Sequence, residues 1–456
     1  MSRDVIQSAD VAVIGAGSVG IAVAYYLVKA QKIKNVVLVD PRDPMSLTSA
    51  QSGENYRNWW PHPVMTAFTD HSISLLEDID RRSGGRLNMT RGGYSLVTRR
   101  SRPEDLIQDL YRGYGASPAS IRIHESSSND YQAPRRVPWS LAPDGVDVLF
   151  ARELIRKTFP SYAHDVATVI HIRRAGSISA QQLGQFMLEA IRADGARLLR
   201  AEVKGITGRA PFDLALASDR GVVPLRAQRI VNAAGPFLRD IGAMLGEDIP
   251  VTCVYQQKIA FEDRGGAISR DMPFTIDLDG QTLAWSDEDR ELLAGEPSAH
   301  RLIEPMQGGI HCRPDGAPGG TWIKLGWAYN LDASNPNDAD PIDPQFPDTV
   351  IRGASRLHPR LADYVGRLPR GVRHYGGYYT TTSENWPLIG AMRTEGAFMA
   401  GALSGFGSMA ACSAGALCAA WVGGDELPPY ARSLSSRRYD DATLMAELST
   451  LGKGSL

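Results

Sequence analysis

Residues 10–40 read DVAVIGAGSVGIAVAYYLVKAQKIKNVVLVD. An apolar run from Val11 to Ile14 enters Gly15-x-Gly17-x-x-Gly20, a helical pattern follows, and a second apolar run from Val36 to Val39 ends on Asp40. This is the layout of a strand–turn–helix–strand unit that holds a dinucleotide. Gly15 serves the tight turn, Gly17 lets the backbone approach a pyrophosphate, and Gly20 lets helix and strand pack closely. Ser18 opens the helix, whose free N–H groups and partial positive charge attract the diphosphate. Asp40 is placed to accept hydrogen bonds from an adenosine ribose.

The rest of the chain sets bounds on this reading. With 456 residues it exceeds what one hydrophobic core organises, so two domains are expected. Hydrophobic residues make up 43% and charged ones 22%, the balance of a globular protein, and a net charge of −2 gives no general attraction to nucleic acid or anionic membranes. The longest weakly polar run, Met409 to Gly424, is short for a membrane span and reads as a buried helix. Cys253, Cys312, Cys412 and Cys418 form no CxxC and no metal-ligand spacing, which fits buried thiols in a reducing compartment. No secretory pattern precedes the first strand, so a cytoplasmic location is expected.

Further along, Thr66 to Arg82 and Gln181 to Asp194 have helical periodicity, and residues 112–147 read as loops. Arg229 to Gly235 is a strand ending on small residues, among them Ala234 and Gly235, where a backbone can lie against a flat cofactor. From Val251 to Arg370 alternating patterns between Pro/Gly-rich turns predict an antiparallel sheet. The opening texture returns at Ala397 to Ala402, a glycine-rich turn, and the helix Ser408 to Val422. The fold class is therefore α/β in a two-domain α+β arrangement: a Rossmann-type nucleotide domain, discontinuous in sequence, beside an antiparallel-sheet substrate domain. The boundaries read as 1–92, 151–250 and 370–456 for the first and 93–150 and 251–369 for the second.

Taken together, VIGAGSVG with Asp40, RGGYSLV at 91–97, AGSISAQQL at 175–183, IVNAAGPFL at 230–238, WIKLGW at 322–327, YYTTTSENWPLIG at 378–390 and GALSGFGSMAACSAGALCA at 401–419 resemble the FAD-dependent D-amino-acid oxidase superfamily, especially its sarcosine-oxidase and glycine-oxidase-like branch. The resemblance implies FAD as the dinucleotide. It adds Ser52, Gly53 and Val203 to the cofactor contacts, together with the loop Gly405, Phe406, Gly407, Ser408 and Met409 at a helix start. Lys324 matches a lysine near the flavin that promotes electron transfer to oxygen, and Arg57 matches an arginine lying against the flavin. The alternation of the WIKLGW strand puts Trp322, Lys324 and Gly326 on one face.

The departures from that branch bear on the substrate. Ala328 stands where a histidine is expected, and Trp60 and Met409 stand where an arginine and a lysine clamp a carboxylate. Trp59 and Trp60 at the entry, Tyr255 in the pocket, and Tyr378 with Tyr379 on the far wall imply a substrate larger than sarcosine. His311 and Arg313 are alternative anchors for an anionic group. Gly377 takes the place of the attachment cysteine, so noncovalent FAD is expected. The implied reaction oxidises a C–N bond of an amine or amino acid to an imine, with oxygen as acceptor and hydrogen peroxide as product. A neutral amine is the reacting form, so the rate is expected to rise with pH. Two alternatives stay open: an amino-acid or 2-hydroxy-acid dehydrogenase passing electrons to a quinone or carrier, and a non-catalytic flavin-binding subunit.

Overall fold

The computed structural model describes residues 7–115, 120–126, 130–219, 221–297, 299–317 and 319–451. Strand Gln7–Ile14 lies parallel to Val36–Asp40 on one side and to Gly221–Asn232 on the other. It thereby centres a sheet ordered Arg197–Arg200, Val36–Asp40, Gln7–Ile14, Gly221–Asn232, Phe212–Ser218 and Glu202–Gly208. Ala397–Gly401 joins in parallel with the last residues of Gly221–Asn232, and Leu388–Ala391 pairs beyond it. One sheet is thus built from the beginning, middle and end of the chain.

Helix Ser18–Lys29 is buried almost all round, with Ile21 to Val28 all inside. Its sequence is apolar on every side because helices Gly407–Gly423 and Ala180–Ala193 pack over it while the sheet lies beneath. The crossing with Gly407–Gly423 is a backbone contact: a Cβ on Gly415 would stand 2.5 Å from the carbonyl carbon of Ala22.

The second layer is a nine-stranded sheet. Its order is Arg373–Thr381, Thr252–Glu262, Trp322–Gly326, Ile310–Pro314, Phe274–Asp277, Tyr94–Thr98, Thr168–Ile172, Val146–Leu149 and Ile121–His124. It is antiparallel except where Phe274–Asp277 meets Tyr94–Thr98 and where Ile121–His124 meets Val146–Leu149. One face carries Ile259, Phe261, Ile323 and Leu325 and is sealed by helix Phe346–Leu357. The other carries Lys258, His311, Arg313 and Lys324, four polar side chains in the middle of a sheet. A small sheet of Asn55–Arg57, Ala175–Ser177, Thr90–Arg91 and Val137–Pro138 ties the two layers together. Among the described residues no helix is long and apolar enough to cross a membrane, and no group of His, Cys, Asp and Glu is arranged to hold a metal ion.

Two expectations need correction. Strands Thr168–Ile172 and Arg373–Thr381 belong to the nine-stranded sheet, so domain boundaries at 151 and 370 do not follow the layers. Both are hard to place from the sequence: the first is buried on both faces and shows no alternation, and the second is broken by Gly376 and Gly377. The stretch 112–147 is also not all loop, since it holds strands Ile121–His124, Val137–Pro138 and the start of Val146–Leu149.

Gly415→Val is expected to lower the urea midpoint by the equivalent of at least about 1–3 kcal/mol, because its Cβ has no room against the Ala22 backbone. Gly205→Ala, where nothing lies within 4 Å of an added Cβ, serves as the control and should leave the midpoint in place.

Candidate functional site

A cavity of about 490 Å³ opens at the carboxyl ends of the parallel strands, where an open α/β sheet places its ligands. Gly15, Gly17, Ser18, Asp40, Val203, Ala234, Gly235 and Gly407 line it. Gly15 has φ +109°, and a Cβ there would stand 2.3 Å from the carbonyl oxygen of Ala233. Gly20 lies behind the cavity, its missing Cβ 2.0 Å from the Gly15 oxygen, so its task is packing. The backbone N–H of Ser18 donates to Ser49 Oγ at 3.0 Å. Asp40 accepts from the N–H of Ala16 through Oδ2 and from that of Arg42 through Oδ1, each at 2.8 Å. One carboxylate therefore braces both the glycine turn and the chain leaving the second strand. The lining suits an elongated group with an anionic centre and hydroxyls at one end: a glycine turn and helix start for the anion, the Asp40 carboxylate for the hydroxyls, and small residues Ala233 to Gly235 along the wall.

At the other end the loop before helix Gly407–Gly423 holds Ala402 at φ +55° and Ser404 at φ +48°. Non-glycine residues in the left-handed region are strained, and such strain gathers where a loop is shaped for a ligand. Ser404 is fixed by donating its N–H to the carbonyl of Thr380 at 3.0 Å. Gly407, Ser408 and Met409 form the first helical turn, whose N–H groups lack partners within the helix. The Met409 side chain is buried, and its carbonyl accepts from Ser72 Oγ at 2.6 Å. Ser52 Oγ accepts from the N–H of Glu54 at 2.9 Å, and Gly53 offers its carbonyl to Arg313 at 3.0 Å.

Lys324 stands on the polar face of the large sheet, opposite Ala260 and Arg313. Its side chain is 13% exposed, with Nζ 3.6 Å from Asp315. Burial, aided by the charge of Arg313, pulls its pKa down to about 8, against the opposing pull of Asp315 and Glu54. Arg313 is bound to Asp315 at 2.8 Å and to the carbonyls of Gly53 and Pro314, so its guanidinium is already committed. His311 lies across from Gly326 with Nδ1 3.1 Å from the carbonyl oxygen of Gly309. Burial lowers its pKa to about 4, leaving it neutral.

Arg57, 1% exposed, lies over the rings of Trp60 at 4.3 Å and Tyr94 at 5.1 Å. Trp60 rests on Phe406 at 5.0 Å, Tyr94 on Phe274 at 4.3 Å, and Phe274 on His311 at 5.2 Å. These groups in contact run unbroken from the strained loop to the polar face of the sheet. Trp59 turns away, buried with Tyr94, Leu96 and Leu110 and packed against Gly113 of helix Glu104–Tyr114.

The pairing of Tyr378 with Tyr379 as one wall needs correction, because adjacent strand residues point to opposite faces. Tyr379 shares the face of Lys258 and Lys324. Tyr378 and Tyr255 share the other, with ring centroids 5.1 Å apart, and both donate to Asp340, at 2.9 and 3.4 Å. Tyr378 lines the long cavity, not the polar sheet face. Sequence reasoning missed Ser49, Arg42, Glu202, Phe237 and Thr380 in the cavity, and Lys258 on the sheet. Only Lys258 carried a usable signal, through its alternation with Gln256 and Ala260.

The human mitochondrial dimethylglycine dehydrogenase is 25% identical over 301 residues, which span 64% of this chain and 31% of that protein. The chain thus matches about a third of the length of that relative. Among solved structures, L-proline dehydrogenase from P. horikoshii superposes with a TM-score of 0.69 at 17% identity, covering 96% of this chain and 99% of that one. Glycine oxidase from Geobacillus kaustophilus gives 0.67 at 16% identity, covering 94% and 98%. These likenesses show the fold. The model of the DAO family, FAD dependent oxidoreductase, matches residues 10–421, and the chain belongs to that family.

Proposed function

We propose that the chain oxidises the C–N bond of an amine or amino acid larger than sarcosine, holds FAD without a covalent link, and passes the electrons to oxygen. The observation that supports oxygen as acceptor is Lys324, an ammonium largely withdrawn from water on the polar sheet face. FAD, when bound, supplies the two-electron acceptor for the substrate and the donor to oxygen. The chain's residues do the remaining work. The glycine turn, Ser18 and Asp40 hold the adenosine diphosphate part, and Gly407 to Met409 direct first-turn N–H groups toward negative charge. Arg57 adds a fixed positive charge in a dry setting, and Lys324 favours negative charge arriving on oxygen. Trp60 and Met409, both buried, supply apolar bulk in place of a carboxylate clamp.

Noncovalent binding is supported by the chemistry of the cysteines. All four are buried and free; burial raises the pKa of each thiol, those of Cys412 and Cys418 to about 12. Nucleophilic attachment requires a thiolate. A dehydrogenase is the second reading. Asp315 beside Lys324 offsets part of its charge, and proline and dimethylglycine dehydrogenases stand among the similar proteins.

Acid precipitation is expected to leave all yellow colour in the supernatant; colour kept by the pellet refutes dissociable FAD. Asp40→Ala removes both the ribose acceptor and the brace on Ala16. FAD affinity should fall roughly ten- to a hundredfold, measured by fluorescence on titrating the apoprotein. Lys324→Met should leave anaerobic flavin reduction by substrate intact and slow reoxidation by oxygen roughly 100- to 1000-fold in stopped flow. The ammonium is charged below about pH 8 and lost above it. Reoxidation of the wild type should therefore slow as pH rises through 8, while reduction by a neutral amine quickens. Normal reoxidation in the Met variant, with an artificial acceptor outcompeting oxygen in the wild type, would favour the dehydrogenase.

A further inference from the structure

Lys258 lies mid-strand in Thr252–Glu262, 7% exposed, on the face that carries Lys324 and His311. Buried Arg91, Arg313 and Arg438 each face a carboxylate, from Glu77, Asp315 and Glu384. Lys258 faces none. Among the described residues its ammonium meets the Tyr379 ring, 5.5 Å from the centroid, and no carboxylate or hydrogen-bonding acceptor holds it. A buried ammonium without an anion is costly unless something completes the site.

Its neighbours set the chemistry that an anion at the ammonium would meet. The residue directly across the strand pair is Gly326, where a Cβ would stand 3.1 Å from Lys258 Cγ and 2.4 Å from His311 Nε2. The absence of a side chain lets the lysine stem and the imidazole meet above one position. Because a carbonyl oxygen only accepts, His311 carries its proton on Nδ1 toward Gly309 and presents Nε2 as an acceptor. Phe274 and Tyr94 continue the wall as rings in tilted contact, and Tyr379 closes the side beneath the ammonium. A cation, a neutral acceptor and aromatic walls stand together on one face.

We propose that Lys258 binds the carboxylate of the substrate, so that the chain acts on amino acids or N-substituted amino acids in preference to amines lacking a carboxylate. This rests on the C–N oxidation reading. It supplies from the sheet the cation that is missing at Trp60 and Met409.

The test measures binding to purified FAD-loaded protein, without turnover. Benzoate is titrated into wild type, Lys258→Met and Lys258→Arg by calorimetry and by the visible absorption of the flavin, with benzyl alcohol as the uncharged probe. Benzoate Kd should rise roughly ten- to a hundredfold in the Met variant and only a few-fold in the Arg variant, with benzyl alcohol unchanged in both. Benzoate should also protect Lys258 of the wild type from acetic anhydride, read by mass spectrometry, a measurement that needs no variant to fold. Equal benzoate affinity in wild type and Met variant, absence of benzoate binding in the wild type, or unprotected Lys258 would each overturn the assignment. Failure of every amine to yield peroxide would count against the oxidase reading and leave these binding results to be judged alone.

Discussion

Close contact between backbones at the end of strand Gln7–Ile14 is the constraint on which the rest depends. Gly20 lies over the Gly15 carbonyl, Gly15 over that of Ala233, and Gly415 over the Ala22 backbone. None of the three tolerates a Cβ without displacing main-chain atoms, which side-chain repacking cannot relieve. Through these contacts the first strand, the helix after it, the middle strand Gly221–Asn232 and the late helix Gly407–Gly423 converge on one point. The cavity is the space left where they converge. Asp40 then fixes the turn from the neighbouring strand, so a carboxylate that lines the cavity is also a structural brace.

The second layer follows a different rule, the two-residue alternation of a strand. That rule gives helix Phe346–Leu357 an apolar surface to seal and leaves Lys258, His311, Arg313 and Lys324 together on the opposite face. Arg313 is the pivot between layers, since it binds Asp315 on its own sheet and the Gly53 carbonyl from the nucleotide-binding layer. Its rigid fork suits that double task, which a lysine could not perform.

The nucleotide half was legible because its information is local. Glycine spacing, a helix start and an acidic residue at a strand end lie within residues 10–40. Assigning the late turn and helix to the same half also required only short patterns and a family likeness. What stayed hidden depended on register between distant segments. The opposition of Tyr255 and Tyr378 to Tyr379, the coverage of Trp59 by Gly113, and the capture of Arg313 by Gly53 all follow from pairings far apart in sequence. The two-residue alternation that divides the faces of WIKLGW also divides Tyr378 from Tyr379. Strand Thr168–Ile172 gives no such signal, because a strand buried on both faces resembles any other short apolar run.

Charge is the last link between the layers. On the polar sheet face Lys258 and Lys324 stand as diagonal neighbours on paired strands, with Arg313 across from Lys324. Asp315 meets Arg313 and Lys324 but leaves Lys258 without a counter-ion among the described residues. Burial lowers the pKa of both Lys324 and His311, and the neighbouring charges add to it: Arg313 and Lys258 at Lys324, Lys258 at His311. A sheet selected for stability alone would fill these positions with apolar residues, as its other face does. Local rules broken in this way mark functional or strained sites. An arriving anion relieves the repulsion it enters, so its binding is favoured by the same buried charges that destabilise the empty face.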